Sequence, residues 1–223
     1  MVEKIQLHDF IEIEYTGKLA EGAVFDTTSE KVAKEHRLHS PERKYQPAVI
    51  CVGERQILPG LDAQLVDKEL GKEYTLTLPP EKAFGKRDIA KVKIIPINTF
   101  QEHKLQPQPG LLIDVDGERG TVSKVSGGRV IVNFNHPLAG KEVWYSYRVL
   151  RKVTDQKEKV TAYLSAVLRL PAPSMNIEVK DNTATVTIPG EIPSQVSSIL
   201  TQKLVQLTGL KEIIFRKEET SNN

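Results

Sequence analysis

Four short clusters carry the chemistry this sequence could do. They are Tyr15-Thr16-Gly17, Gly22 with Phe25-Asp26, Gly53 with Ile57-Leu58-Pro59-Gly60-Leu61, and Ala83-Phe84-Gly85. Their side chains are aromatic and aliphatic with one carboxylate among them, which suits the binding of an apolar group better than attack by a nucleophile. Each cluster alone has a plainer meaning: Tyr15-Thr16-Gly17 reads as a strand end, and Phe25-Asp26 as a core aromatic beside a turn carboxylate. Other chemistries are poorly served. His8, His36, His39, His103 and His136 show no tight metal-ligand spacing, and His36 and His39 fall in a charged, solvated loop, so no metal is expected. Ser126-Gly127-Gly128 reads as a hairpin turn and not as a phosphate loop, so no nucleotide or other cofactor is expected. Cys51, the single cysteine, has no internal disulfide partner and sits in the strand-like run Ala48-Val49-Ile50-Cys51-Val52, where a thiol packs as a small apolar group.

At 223 residues the chain is long for one domain, and two or three units are expected. Its net charge of +2 is spread along the sequence, which leaves no basic stripe for nucleic acid. The opening Met-Val-Glu-Lys-Ile carries charge at once and no later apolar run is long enough for a membrane span, so the reading is a soluble, cytoplasmic protein with neither nucleic acid nor membrane as partner.

Hydropathy patterning supplies the elements that must hold these clusters. Residues 10–16 alternate as a half-buried strand, 47–53 form a second strand, and 74–78 alternate again before Pro79-Pro80. Between them Leu61, Leu65, Val66 and Leu70 fall on one side of a short helix that Gly71 stops. From Lys86 the character changes: Ile94, Ile95 and Ile97 cluster, a Gln/Pro stretch runs to Gly110, and Asp116-Gly117 and Gly127-Gly128 signal hairpins. Alternation resumes from Val143 to Val153, as if one sheet had been interrupted by a small β-unit. Asp155 with Glu158 then caps a helix carrying Val160, Tyr163, Leu164, Val167 and Leu168. Two short strands, 177–180 and 183–188, a helix begun near Pro193 and a strand at 212–215 complete an α-β-β-α-β tail, with a frayed polar ending from Lys217.

The four clusters, in this order and near this spacing, resemble the FKBP-type peptidyl-prolyl cis/trans isomerases. The resemblance covers about residues 5–85 and 139–153. The interruption after Phe84-Gly85, with the return Asn135-His136-Pro137-Leu138-Ala139-Gly140, is similar to the SlyD-like branch with its insert-in-flap domain, and the whole arrangement to archaeal long-type members. It implies an α+β fold: an antiparallel half-barrel sheet wrapped on a short helix (1–85 and 139–153), an inserted β-domain (86–138) and a C-terminal α-β-β-α-β domain (154–223). It further implies a prolyl pocket made by Tyr15, Phe25, Asp26, Ile57, Leu58 and Phe84, with Ile50, Leu61 and Tyr145 contacting substrate. Leu61 stands where many members carry tryptophan, and Phe84 where many carry tyrosine. The SlyD-like His/Cys-rich tail is missing from the pattern, so a nickel role does not carry over.

What such a pocket must do is physical. Amide resonance sets a barrier of roughly 20 kcal/mol to rotation about Xaa-Pro bonds, and an apolar site that strips water from the prolyl carbonyl disfavours the charge-separated resonance form. Asp26 then acts by orientation and field. The expected function is isomerisation of unfolded or folding polypeptides, joined to a chaperone holdase role in which Ile94, Ile95, Ile97 and Phe100 capture client segments. The alternative is a holdase alone, and the isoleucines also suit the insert's own core. The strand 212–215, at a sheet edge, could pair with a second copy to give a homodimer.

Overall fold

In the computed structural model, which describes residues 3–218, the first alternating run forms β1 (Phe10–Leu19). The chain turns through Gly22 into β2 (Val24–Thr27), then α1 (Glu30–Glu35), β3 (Ala48–Cys51), α2 (Pro59–Asp62) and β4 (Glu73–Leu78). An interruption follows, made of β5 (Val92–Pro96), α3 (Ile97–Glu102), β6 (Leu112–Val115), β7 (Glu118–Ser126) and β8 (Arg129–Asn133). Then come β9 (Val143–Lys152), α4 (Gln156–Leu168), β10 (Asn176–Lys180), β11 (Thr183–Ile188), α5 (Ser194–Thr208) and β12 (Glu212–Lys217). The result is mixed α+β with largely antiparallel sheets. Two compact units separate: one joins the chain up to Leu78 to the chain from Val143 onward, and the other is Pro79–Glu142.

In the first unit β1 is central. Its one edge pairs with β9 from Ile11↔Lys152 to Leu19↔Val143. The other edge takes two short strands in succession, β3 against Phe10–Ile13 and β2 against Thr16–Lys18. β4 closes the far side of β9, with Leu78 opposite Val143, so the interruption leaves and returns at one rung. Because side chains alternate across a strand, Tyr15 and Gly17 of β1 share a face with Tyr147 and Tyr145 of β9. Val143, Tyr145, Tyr147 and Val149 are all buried. The opposite face carries ion pairs such as Glu14–Arg148.

The C-terminal elements belong to the same unit. α4 starts at Asp155, whose carboxylate accepts a hydrogen bond from the Glu158 amide (2.7 Å). β11 pairs antiparallel with β10 and parallel with β12, and α5 makes the crossover that a parallel pair requires. Val160, Leu164, Ile177, Val186, Leu204 and Ile213 pack in one apolar cluster that also takes in Phe10, Cys51 and Val153. Of the polar ending, Lys217 is the last residue of β12, and residues 219–223 lie outside those described.

The second unit is a sheet in the order β5-β8-β7-β6 with α3 against it. Asp116-Gly117 and Gly127-Gly128 join its strands, each pair with both φ angles positive, as tight hairpin turns demand. Phe100, Ile113, Val122, Val130 and Val132 form its core, with Ile95 and Ile97 packed on them.

Some elements differ from the sequence reading. The helix expected along Leu61–Leu70 is confined to α2: the chain turns with Asp67 at φ 65°, so Leu61 and Leu65 are buried while Val66 is exposed. His36 and His39 do fall in an exposed turn, but it follows a helix that was not anticipated, α1, whose N-cap Ser29 accepts from the Val32 amide and which buries Ala33 alone. β2, β5 and α3 were not anticipated as elements.

Candidate functional site: an aromatic pocket on the first sheet

Tyr15, Phe25 and Tyr145 meet on one face of the sheet. The Tyr15 and Tyr145 rings lie 5.9 Å apart and tilted, and Phe25 meets Tyr145 edge-on at 5.8 Å. Such offset contacts stabilise aromatic pairs beyond their buried area. Gly17 makes the arrangement feasible. A Cβ there would sit 2.7 Å from Phe25 Cζ and 3.0 Å from Tyr145 Cε1, so a larger residue would drive the rings apart. The strand segment bearing Phe25 is tied to β1 at its end, where the Tyr15 amide donates to Thr28 Oγ1 (2.9 Å) and the Thr28 amide donates to the Tyr15 carbonyl (3.0 Å).

Asp26 lies beside this trio. Its carboxylate accepts from Arg43 Nη2 at 2.7 Å, and its charge acts on the nearby Tyr15 hydroxyl. Burial, and then the neighbouring Asp26 charge, push the Tyr15 hydroxyl up to about 12. Burial and the same carboxylate also raise Tyr145. Both phenols therefore remain protonated donors at neutral pH. The hydrogen bond to Asp26 raises Arg43 further, so the carboxylate keeps a permanent cationic partner. The arrangement fixes a negative charge and a hydroxyl at the edge of an apolar surface.

The loop after β3 brings the aliphatic residues. Asp62, buried in α2, accepts from the Gly53 and Arg55 amides at 2.9 Å each, which pins the turn leading to Ile57 and Leu58. Pro59 opens α2 with φ already set, Leu58 is its N-cap, and Leu61 is buried at 1% exposure. Gln56 Oε1 accepts from the Cys51 amide (2.7 Å), holding the loop against β3. Tyr15, Ile50 and Ile57 line a common cleft.

Of the residues singled out from sequence, the first unit thus contains Tyr15, Phe25, Asp26, Ile50, Ile57, Leu58, Leu61 and Tyr145. Phe84 belongs to the second unit, where its ring stacks flat on His136 at 4.6 Å. So do Ile94, which is 62% exposed, Ile95 and Ile97, which are half-buried, and Phe100, which is a core residue. Arg43, Asp62 and Thr28 escaped the sequence reading, and Gly17, though part of the first cluster, carried no sign there of the rings packed against it. Arg43 lies in a run of charged residues that gives no sign of its partner 17 positions away. Asp62, in the first turn of a helix behind a proline, did carry a signal.

The arrangement is an apolar surface edged by one oriented carboxylate, of the kind that seats an apolar group. Residues 2–101 match the family model for FKBP-type peptidyl-prolyl cis-trans isomerase, and residues 93–138 match that for the FKBP26 IF domain. The chain is 36% identical over 67% of its length to the short-type peptidyl-prolyl cis-trans isomerase of Methanocaldococcus jannaschii, covering 94% of that protein. It is 28% identical to the FKBP-type 16 kDa peptidyl-prolyl cis-trans isomerase of Escherichia coli, over 67% of this chain and 95% of that one. With the SlyD isomerase of Aeromonas hydrophila it shares 32% identity over 62% of its own length and 60% of the other. The chain belongs to the FKBP-type peptidyl-prolyl cis-trans isomerase family, an enzyme family. Among the described residues, no helix is long and apolar enough to cross a membrane.

Proposed function

We propose that the Tyr15, Phe25 and Tyr145 surface seats the proline of Xaa-Pro bonds in unfolded and folding polypeptides and speeds their cis/trans isomerisation. The observation that carries this reading is the edge-on aromatic trio with Asp26 held by Arg43 beside Tyr15. The first sheet with α2 is read as the family's half-barrel around its short helix. An apolar seat excludes water from the carbonyl before proline, which weakens the resonance that keeps the bond planar. The fixed Asp26 charge and the Tyr15 hydroxyl orient the peptide dipoles, and each 1.4 kcal/mol by which they favour the twisted geometry over the planar one yields about tenfold in rate. Protons stay where they are throughout. Leu61, lacking an indole, leaves the seat more aliphatic.

The second unit is proposed to retain clients, making the protein a chaperone as well as a catalyst. Ile95, Phe100, Leu105, Ile113 and Val115 line a mostly apolar cleft of about 380 Å3, and Ile94 and Leu112, their neighbours along the strands, are exposed on the other face of the sheet. Folding chains in the cytoplasm are the proposed clients. β12, an edge strand of its sheet, is proposed to pair two copies of the chain.

The test is isomerisation of a proline tetrapeptide by the full chain. Phe25→Ala is expected to reduce kcat/KM by about a hundredfold, near 2.7 kcal/mol, with the circular dichroism spectrum retained. Parent-like turnover by that folded variant would remove the trio from the mechanism.

A further inference from the structure

The cleft that holds Tyr15, Ile50 and Ile57 extends well beyond them, to a volume of about 540 Å3, and its opposite wall is α4 with the turn at Leu170–Ala172. α4 keeps Val160, Tyr163 and Leu164 for the core and lines this cleft with Glu158, Thr161 and the small residues Ala162, Ser165 and Ala166. Small side chains leave room for a second main chain to approach. The two walls also carry unused hydrogen-bonding atoms. Gln56 Nε2 on the one side and Ser165 Oγ on the other are buried and have no partner among the described residues. Because Gln56 Oε1 accepts from the Cys51 amide, its NH2 is left as a spare donor. A serine in a helix commonly returns its hydroxyl to the carbonyl one turn back, and Ser165 does not. Buried polar atoms left unpaired call for an explanation, and two of them line one cleft.

We infer that this cleft holds the stretch of extended polypeptide adjoining the substrate proline, with main-chain amide groups of the client reaching Gln56 Nε2 and Ser165 Oγ once the side chains that cover these atoms give way to it. The inference rests on reading the Tyr15 surface as the prolyl seat. A chain seated there continues into the cleft because Tyr15, Ile50 and Ile57 belong to both. Peptide groups offer the carbonyl and N–H that the spare atoms need, whatever the client's side chains. The C-terminal helix thereby becomes part of the binding surface, and recognition extends past one residue without demanding a particular sequence.

The experiment compares a proline tetrapeptide with a peptide of about ten residues, long enough to run past the seat at about 3.3 Å per residue. Both kcat/KM and fluorescence anisotropy are measured on the full chain. The parent should favour the longer peptide. Ala166→Trp, at an exposed position that lines the cleft, should lower the long-to-short ratio by about tenfold. Ser165→Ala, which removes the hydroxyl and little else, should lower it by about threefold. An unchanged ratio in both variants, equal losses on both peptides, or a parent indifferent to length would each overturn the inference. So would a change in sedimentation with Ala166→Trp alone, which would assign the cleft to a second copy. If the parent bound the long peptide but isomerised neither, the catalytic reading would fall while the anisotropy ratio still decided the cleft.

Discussion

The first unit holds its apolar side chains close and fixed, whereas the second leaves many of its own in the open. Around Gly17 three aromatic rings meet at set angles, and backbone amides that donate to Thr28 Oγ1 and to the Asp62 carboxylate hold the segments nearby. In the second unit Ile89, Ile94 and Leu112 are 86%, 62% and 77% exposed, and the core beneath them is small. A surface that must favour one bond geometry over another needs fixed atoms, because differential binding is lost when the site can relax. A surface that retains unfolded chains of any sequence gains from breadth instead.

Removing the second unit should split the two roles furthest. Gly140 N already donates to Gly85 O at 2.8 Å, so a short loop in place of residues 86–138 joins ends that are adjacent. Tetrapeptide isomerisation should persist, while catalysed refolding of a proline-limited protein should fall by about a hundredfold, the scale on which a second attachment point raises effective concentration. Equal loss on both substrates would mean that the unit supports the seat. Next in size is Gly17→Ala. Its new Cβ collides with Phe25 and Tyr145, and tetrapeptide kcat/KM should drop by about tenfold with client retention intact. An unaffected rate would show that the ring geometry is not critical.

Asp62→Ala sharpens the comparison from the stability side. It strands the Gly53 and Arg55 amides in a part-buried loop and should lower unfolding stability by about 2 kcal/mol in urea titration. A loss below a few tenths would mean that water takes over both bonds. A further effect is expected from alkali. Tyr15 and Tyr147 are raised from 10 to about 12 in the folded chain, chiefly by burial. The folded state therefore binds more protons than the unfolded state between those values. Their contribution is fully present below about pH 10 and is lost as pH rises through 12. Urea midpoints should be level from about pH 8 to 10 and then decline, and a level profile to pH 12 would contradict the burial of these rings.

The strands that carry the site were legible because one face of each is buried and the other wet: β1, β4 and β9 alternate accordingly. The hairpins of the second unit were legible in Asp116-Gly117 and Gly127-Gly128, since few other pairs tolerate two positive φ angles. α1 was not, because a short helix with Ala33 as its one buried residue has no apolar stripe to read. The length of α2 was misjudged because Leu65 reaches the core from a turn, which leucine spacing alone does not distinguish from a helix. In the pocket, residue types were visible but their ties were not. Arg43 to Asp26, or Gln56 and Ser165 on opposite walls of one cleft, depend on the tertiary path of the chain.

The facing of Leu78 and Val143 across one rung of the first sheet has a bearing on ancestry and engineering. Two neighbouring strand ends form a socket: whatever peptide is spliced between them need only begin and finish at the same place. Loop closure grows so slowly with length that each doubling adds about 0.6 kcal/mol. Genes could therefore have acquired, traded or shed a cassette at this junction without redesigning the sheet, and a foreign recognition module grafted there would inherit a ready-made catalytic host.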